Sequence, residues 1–152
     1  MNSMNDTGVV AGPASGQTSR THPLRGLAVT GFIATLAAMA ATTLAAALAQ
    51  AVGVDFEVPD GGGETIPLPG FAVVTGFFSV VGIVIAVALL RWSARPAKRF
   101  VWTAVSLTAI SLVAPLLSGA NTATTIALLG LHLVPAAVMI PTLARSLRAR
   151  AD

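Results

Sequence analysis

Three long stretches of this sequence carry no charged residue, and this distribution limits the fold more than any single motif does. The stretches are residues 26–54, 65–90 and 100–144, with lengths of 29, 26 and 45 residues. A helix that crosses roughly 30 Å of hydrocarbon needs about 20 predominantly apolar residues. The first two stretches therefore hold one transmembrane helix each, and the third is long enough for two.

The composition excludes several classes of protein. Only 10% of the residues are charged and 55% are hydrophobic, whereas a soluble domain carries roughly 25% charged residues. Such a chain is neither a soluble enzyme nor a nucleic-acid-binding domain, although its formal net charge is +3. The absence of cysteine also excludes disulfides and zinc–thiolate sites.

We predict an all-α fold, a four-helix transmembrane bundle. Its four helices are expected over residues 26–52, 70–90, 100–117 and 123–144. The polar residues 1–25 are expected to form a disordered tail, and the basic residues 145–152 a second tail. Residues 118–122 form a tight turn in which Asn121 or Thr122 can cap the fourth helix.

The connection between the first two helices, residues 53–69, is predicted to be a short loop or hairpin. Three glycines follow Pro59 and Asp60, which is a turn signal. Residues 56–58 and 65–66 flank this turn and could pair as two short strands. Pro67 and Pro69 are expected to break the chain before the second helix.

The charges predict the orientation of the bundle. All nine basic residues lie in residues 1–25, 91–99 and 145–152, whereas the 53–69 loop carries four acidic residues and no basic one. Because short basic segments stay on the cytoplasmic side, we expect both termini inside and the acidic loop outside. Trp92 and Trp102 then fall at the cytoplasmic interface, where indole rings prefer to sit.

An alternative interpretation makes the first span a cleaved leader. Ala47-Leu48-Ala49 resembles a signal-peptidase site. The apolar stretch is longer than the 7–15 residues of a typical signal sequence, so we favour an uncleaved first helix.

His132 is the only ionisable side chain inside the predicted helices. Intramembrane ionisable groups are costly and often functional. Pro135 lies three residues further on and cannot bond to the Leu131 carbonyl, and Met139 shares the face of His132. This trio is a candidate intramembrane site for a proton relay, a substrate contact or a haem or metal ligand. A structural role, in which a neutral His132 bonds to a hydroxyl on a neighbouring helix, is the simpler alternative.

Two clusters of charge are further candidates. Arg91, Arg95, Lys98 and Arg99 are candidate contacts for anionic lipid head groups, or they serve only to set the topology. Four acidic residues of the outer loop could bind a cation weakly, although their spacing does not match a calcium loop. These candidate weak cation contacts are Asp55, Glu57, Asp60 and Glu64.

Small residues recur along one face of each of the first two helices, which favours close helix packing within the bundle or between copies. On the first helix they are Gly31, Thr35, Ala38, Thr42, Ala45 and Ala49. On the second helix they are Thr75, Ser79, Gly82 and Ala86.

Three segments carry a resemblance to a known family. They are the acidic loop that ends in IPLPGF, the RWSARP and RFVW pair, and the LHLV and IP run of the fourth span. With them the sequence, from about Leu24 to Arg148, resembles a family of small actinobacterial four-helix membrane proteins catalogued as a domain of unknown function. The resemblance implies four spans in a bacterial cell membrane and brings no activity, cofactor or catalytic residue.

We therefore expect a non-enzymatic, multi-pass protein of the bacterial plasma membrane that acts as a structural or partner-binding bundle. Its expected partners are the lipid bilayer and either a second copy or another membrane protein, with no nucleic acid and no cofactor. The alternative is a small oligomeric transporter or channel that uses His132 and a kink at Pro135. A redox protein with His132 as cofactor ligand is a third hypothesis.

Overall fold

The computed structural model describes residues 18–58 and 64–151, with the side chains of residues 23–57 and 64–150. Its elements in chain order are α1 (Thr18–Ala51), β1 (Glu57–Val58), β2 (Glu64–Thr65), α2 (Leu68–Trp92), α3 (Pro96–Ser111), α4 (Val113–Leu117) and α5 (Thr122–Ala151). Because α3 and α4 follow one another along one span, the described chain forms a four-helix bundle, which confirms the predicted all-α fold.

All four spans are long and apolar enough to cross a membrane. They are Pro23–Ala51, Leu68–Trp92, Pro96–Leu117 and Thr122–Arg150. Their outward surfaces remain apolar, with large side chains such as Phe32, Phe77 and Ile110 mostly exposed. A soluble protein rarely exposes so much apolar surface, so this is the architecture of a multi-pass membrane protein.

The interior consists of two hydrophobic clusters, one toward each end of the bundle. One of them, which we call the inner cluster, packs Leu27 of α1 against Phe100 of α3 and Leu147 of α5. The other, which we call the outer cluster, packs Ala46 of α1 against Leu128 and Leu131 of α5, together with residues of the loop between α1 and α2. We call the end near the inner cluster, with residues 23–25, 91–99 and 145–150, the basic end. The opposite end, with residues 52–57, 64–67 and 118–121, is the acidic end.

Small residues let α1 and α2 approach closely, as their pattern predicts. A methyl group added to Gly31 would lie 2.7 Å from Ile83 of α2, and one added to Gly76 would lie 3.1 Å from the Met39 sulfur. The buried stripe of α1 contains Thr35, Ala38 and Thr42. Van der Waals packing between such faces holds membrane helices together.

All four spans begin earlier than predicted, and the third and fourth do so by only a few residues, at Pro96 and Thr122. The described part of α1 starts at Thr18, so residues 18–25 are helical and not a disordered tail, and residues 1–17 lie outside the described residues. Arg and Leu are good helix formers, so the helix does not end where the apolar stretch ends. Helix α2 starts at Leu68 and includes Pro69, because a proline in the first turn needs no N–H partner.

The last helix continues to Ala151, through most of the predicted basic tail. Leu143 and Leu147 lie one turn apart and are both fully buried, so the apolar stripe of α5 extends past residue 144. The Arg150 guanidinium donates a hydrogen bond to the Ser146 carbonyl oxygen at 2.9 Å. Basic side chains also favour a helix C-terminus.

Proline and asparagine shape the third span and the turn that follows it. Pro115 cannot donate to the Ser111 carbonyl and clashes with it, so α3 ends at Ser111 and the short α4 begins at Val113. The Asn121 side-chain oxygen accepts a hydrogen bond from the Thr124 backbone N–H at 2.9 Å. Asn121 is therefore the residue that caps α5.

The connection between α1 and α2 folds back over the acidic end. Helix α1 ends in a Schellman motif, in which Gly53 has φ +93° and the Val54 N–H donates to the Ala49 carbonyl at 3.0 Å. Glu57 then pairs with Thr65, and Val58 with Glu64, in a two-residue antiparallel ladder. The predicted hairpin is therefore present, and the turn residues 59–63 lie outside the described residues.

Candidate functional site

His132 lies half-buried in α5 and is held by its own helix. Its Nδ1–H donates to the Leu128 carbonyl oxygen at 2.8 Å, since a carbonyl oxygen can only accept. In the neutral ring, Nε2 then keeps its lone pair as a hydrogen-bond acceptor. The ring orientation is therefore determined within α5, and not by a hydroxyl of a neighbouring helix.

His132 is one of four polar residues that lie, along their own helices, between residues of the two hydrophobic clusters. On α5 it lies between Leu131 of the outer cluster and Met139 of the inner cluster. On α1, Thr42 lies between Ala38 of the inner cluster and Ala46 of the outer cluster. On α2, the segment between the two clusters contributes buried Thr75 and Ser79. We call Thr42, Thr75, Ser79 and His132 the polar layer.

The Thr42 hydroxyl is the most unusual group of this layer. The side chain is 2% exposed, and its oxygen has no hydrogen-bond partner among the described residues. The Thr124 hydroxyl, near the start of α5, has the same property. Buried hydroxyls without a partner are rare because desolvation is then uncompensated.

The structure does not bring Met139 to His132. Seven residues along a helix correspond to about 10 Å, and the Met139 side chain packs in the inner cluster. Met39 of α1 is also turned away, because its sulfur lies against Gly76 of α2. Pro135 is half-buried within the single helix α5. His132 thus stands near Pro135 without a second ligand from either methionine.

The basic residues of the α2–α3 connection line a cavity of about 440 Å³ at the basic end. Its cationic wall consists of Arg95, Lys98 and Arg99, all exposed. The remaining lining comes from Leu89, Trp102 and Thr103. Arg91 is exposed on the last turn of α2 and does not line this cavity. Three of the four predicted head-group contacts are therefore gathered around one space.

The acidic residues of the loop between α1 and α2 form no enclosed site in the described part of the chain. Asp55, Glu57 and Glu64 are all exposed, and no group of three or more potential metal ligands occurs among the residues that the structure describes. Asp60, the fourth predicted cation contact, lies outside the described residues.

Two features of the structure were not predicted from the sequence. Phe56 is fully buried with φ 49°, and its ring meets that of Phe71 edge-on at 4.9 Å. The guanidinium of Arg150 covers Gly26, where an added methyl group would lie 2.7 Å from its nitrogen. A lone aromatic residue in an otherwise acidic loop was the signal for the first feature. The second joins residues that are far apart in the sequence, and no local signal indicates it.

Comparisons with known proteins place the chain in a family without an assigned activity. No curated protein and no solved structure matches it at a significant level. A model of a family of unknown function, DUF6069, matches residues 22–149, which cover the four spans except Arg150 and include every candidate site above. The chain therefore belongs to the DUF6069 family.

Proposed function

We propose that this protein is a non-enzymatic structural component of the bacterial plasma membrane that acts by pairing with a second copy of itself through α3. The basic end faces the cytoplasm together with both termini, and the acidic end faces outward. The segregation of charge between the two ends supports this orientation. The lack of any carboxylate in the four apolar stretches supports a non-enzymatic role.

The observation that carries the pairing is a pair of outward hydroxyls on α3. Thr103 and Ser106 are both exposed there, among apolar neighbours such as Val105 and Ile110. In contrast to α3, the other three spans expose only apolar residues or glycine along their middle parts. These parts are residues 28–48 of α1, 73–84 of α2 and 123–141 of α5. Ser and Thr hydroxyls at such positions hydrogen-bond across membrane helices.

A second copy fits this face because a hydroxyl is both donor and acceptor. In a dimer with a two-fold axis along the membrane normal, the same face meets itself, so Ser106 would lie opposite Ser106 of the other copy. Thr103 lies one turn closer to the basic end than Ser106 does, and it also lines the cavity at that end.

The chain contains no cysteine, so single-cysteine variants report this contact directly. We expect Ser106→Cys in membranes to form a disulfide-linked dimer on mild oxidation. Val80→Cys is the matched control, because it lies near the middle of α2 and is also exposed. Equal cross-linking of the two variants, or none of either, would overturn the proposed pairing.

A small oligomeric transporter is the second candidate, and the polar layer favours it. The Thr42 hydroxyl, which has no partner among the described residues, and the Nε2 acceptor of a neutral His132 ring lie between two apolar clusters, which is where a solute or proton would need polar contacts. The test is solute or proton flux in proteoliposomes. If the unmodified protein carries a flux that His132→Ala abolishes, a transport function would take the place of the proposed structural role. If the unmodified protein carries no flux, the transporter hypothesis is wrong.

A further inference from the structure

We propose that the cavity between α2 and α3 at the basic end binds the phosphate group of an anionic phospholipid. Arg95, Lys98 and Arg99 form the phosphate contact, and Trp102 with Leu89 form the wall beside the glycerol and the first part of the acyl chains. This site adjoins the proposed contact between copies, because Thr103 also lines the cavity, but it depends on the charge at the end of the bundle and not on the hydroxyls of α3.

Among the residues that the structure describes, no acidic side chain belongs to the end of the bundle that carries these three cations. The acidic residues that the structure describes, Asp55, Glu57 and Glu64, all belong to the acidic end, on the far side of the bundle. Like charges so close together raise the local potential and favour an anion from outside. Two arginines offer planar forks that match phosphate oxygens, and Lys98 adds a compact point charge.

The connection that carries these cations is short and well ordered by hydrogen bonds. The Ser93 N–H donates to the Leu89 carbonyl at 2.9 Å, and the Arg95 N–H donates to the Ser93 hydroxyl at 3.3 Å. Buried Pro96 then starts α3 with no side-chain cap at Arg95. The first turn of α3 therefore presents its positive helix end on the same side as the three cations.

The remaining wall favours a lipid over a soluble phosphate. Trp102 is 68% exposed and lies nearly two turns into α3, at the depth where indole rings prefer the membrane interface. Leu89 packs against the inner cluster and gives the cavity an apolar floor. A free phosphate ion would gain nothing from these two side chains, whereas a phospholipid would bury apolar atoms on them.

The experiment uses Trp102 as the reporter. Trp92→Phe leaves Trp102 as the only tryptophan, and its fluorescence is quenched by brominated acyl chains of neighbouring lipids. The full-length variant is reconstituted in phosphatidylcholine with brominated phosphatidylglycerol or, separately, with brominated phosphatidylcholine. We expect phosphatidylglycerol to be preferred roughly fivefold or more, the factor that corresponds to one cation near an anionic head group.

The charge dependence is tested by two double variants with the same change in net charge. Lys98→Gln/Arg99→Gln should lose most of the preference. Arg145→Gln/Arg148→Gln should keep it, because these exposed cations of α5 do not line the cavity. Circular dichroism checks that both variants remain helical.

Two results would overturn the proposal. One is an equal loss of preference in both double variants, which would mean that only the total charge of the basic end matters. The other is competition by soluble glycerol phosphate or inorganic phosphate that restores fluorescence in phosphatidylglycerol vesicles, which would assign the cavity to a free phosphate and not to a lipid.

Discussion

At the scale of single residues, the hydroxyls of α1 show how a membrane helix satisfies its polar groups. Thr30, Thr35 and Thr43 each donate to the carbonyl oxygen four residues earlier, at 2.9 Å. Thr42 differs, because its hydroxyl is buried without a partner among the described residues. Threonine hydroxyls of one helix are therefore expected to differ in their contribution to stability, and isosteric substitution by valine can measure this difference.

We predict opposite effects of Thr42→Val and Thr35→Val on stability. Removing the unpartnered Thr42 hydroxyl should leave the free energy of unfolding unchanged or raise it by about 1 kcal/mol, since a desolvated group is lost. Removing the bonded Thr35 hydroxyl should lower it by about 1 kcal/mol. Denaturant unfolding in detergent micelles measures both.

The opposite result at Thr42 has a clear meaning. A Thr42→Val protein that loses as much stability as Thr35→Val would show that the Thr42 hydroxyl binds something in the native protein. That outcome would strengthen the transporter candidate, because the polar layer would then hold a bound molecule.

At the scale of elements, the loop between α1 and α2 depends on one side chain. Phe56 has φ 49° and is fully buried against Phe71. A left-handed conformation at a bulky residue costs about 1–3 kcal/mol, so burial of the ring has to offset it. The Ile66 N–H also donates to the Phe56 carbonyl at 3.3 Å, which ties the end of the loop to the same residue.

We predict that Phe56→Ala destabilises the protein by about 3 kcal/mol and detaches the loop from the outer cluster. Limited proteolysis at Glu64 with a glutamate-specific protease should then become faster. Phe77→Ala is the control, because Phe77 is 64% exposed on the outer face of α2 and its loss leaves no cavity. Unchanged cleavage in Phe56→Ala would show that the loop is held by other contacts.

At the scale of the whole molecule, the bundle separates its charges between two ends. Residues 91–99 and 145–150 place seven basic residues at one end, and the described acidic residues lie at the other. If the helices cross the whole membrane, the basic and the acidic residues both lie at its interfaces with water, where hydration keeps the energetic cost of their charges low. Because short basic segments stay on the cytoplasmic side, this asymmetry predicts that the basic end faces the cytoplasm.

We predict that a membrane-impermeant maleimide labels Val52→Cys in intact cells and labels Ala94→Cys only after lysis. Both positions are exposed, and they lie at the acidic and the basic end respectively. The native chain has no cysteine, so labelling comes from the introduced residue alone. The reverse pattern would contradict the proposed orientation.

Patterns of hydropathy, charge and turn residues were sufficient to predict the four spans, the separation of charge and the hairpin. Hydropathy and charge act locally, so the charge-free stretches at 26–54, 65–90 and 100–144 were enough to predict the helices. The ends of those helices were less predictable. Helix α5 continues to Ala151 because Leu147 packs in the inner cluster, and such packing depends on residues from other helices.

The grouping of side chains into sites, by contrast, depends on how the helices pack in three dimensions. The tertiary structure gathers Arg95, Lys98 and Arg99 around one cavity, leaves Arg91 outside it, and separates Met139 from His132. It also turns Phe56 from a loop residue into part of the core. The physical reason is that close packing is decided by the shape and spacing of helix faces that meet across the bundle, whereas hydropathy describes only how each segment meets its solvent.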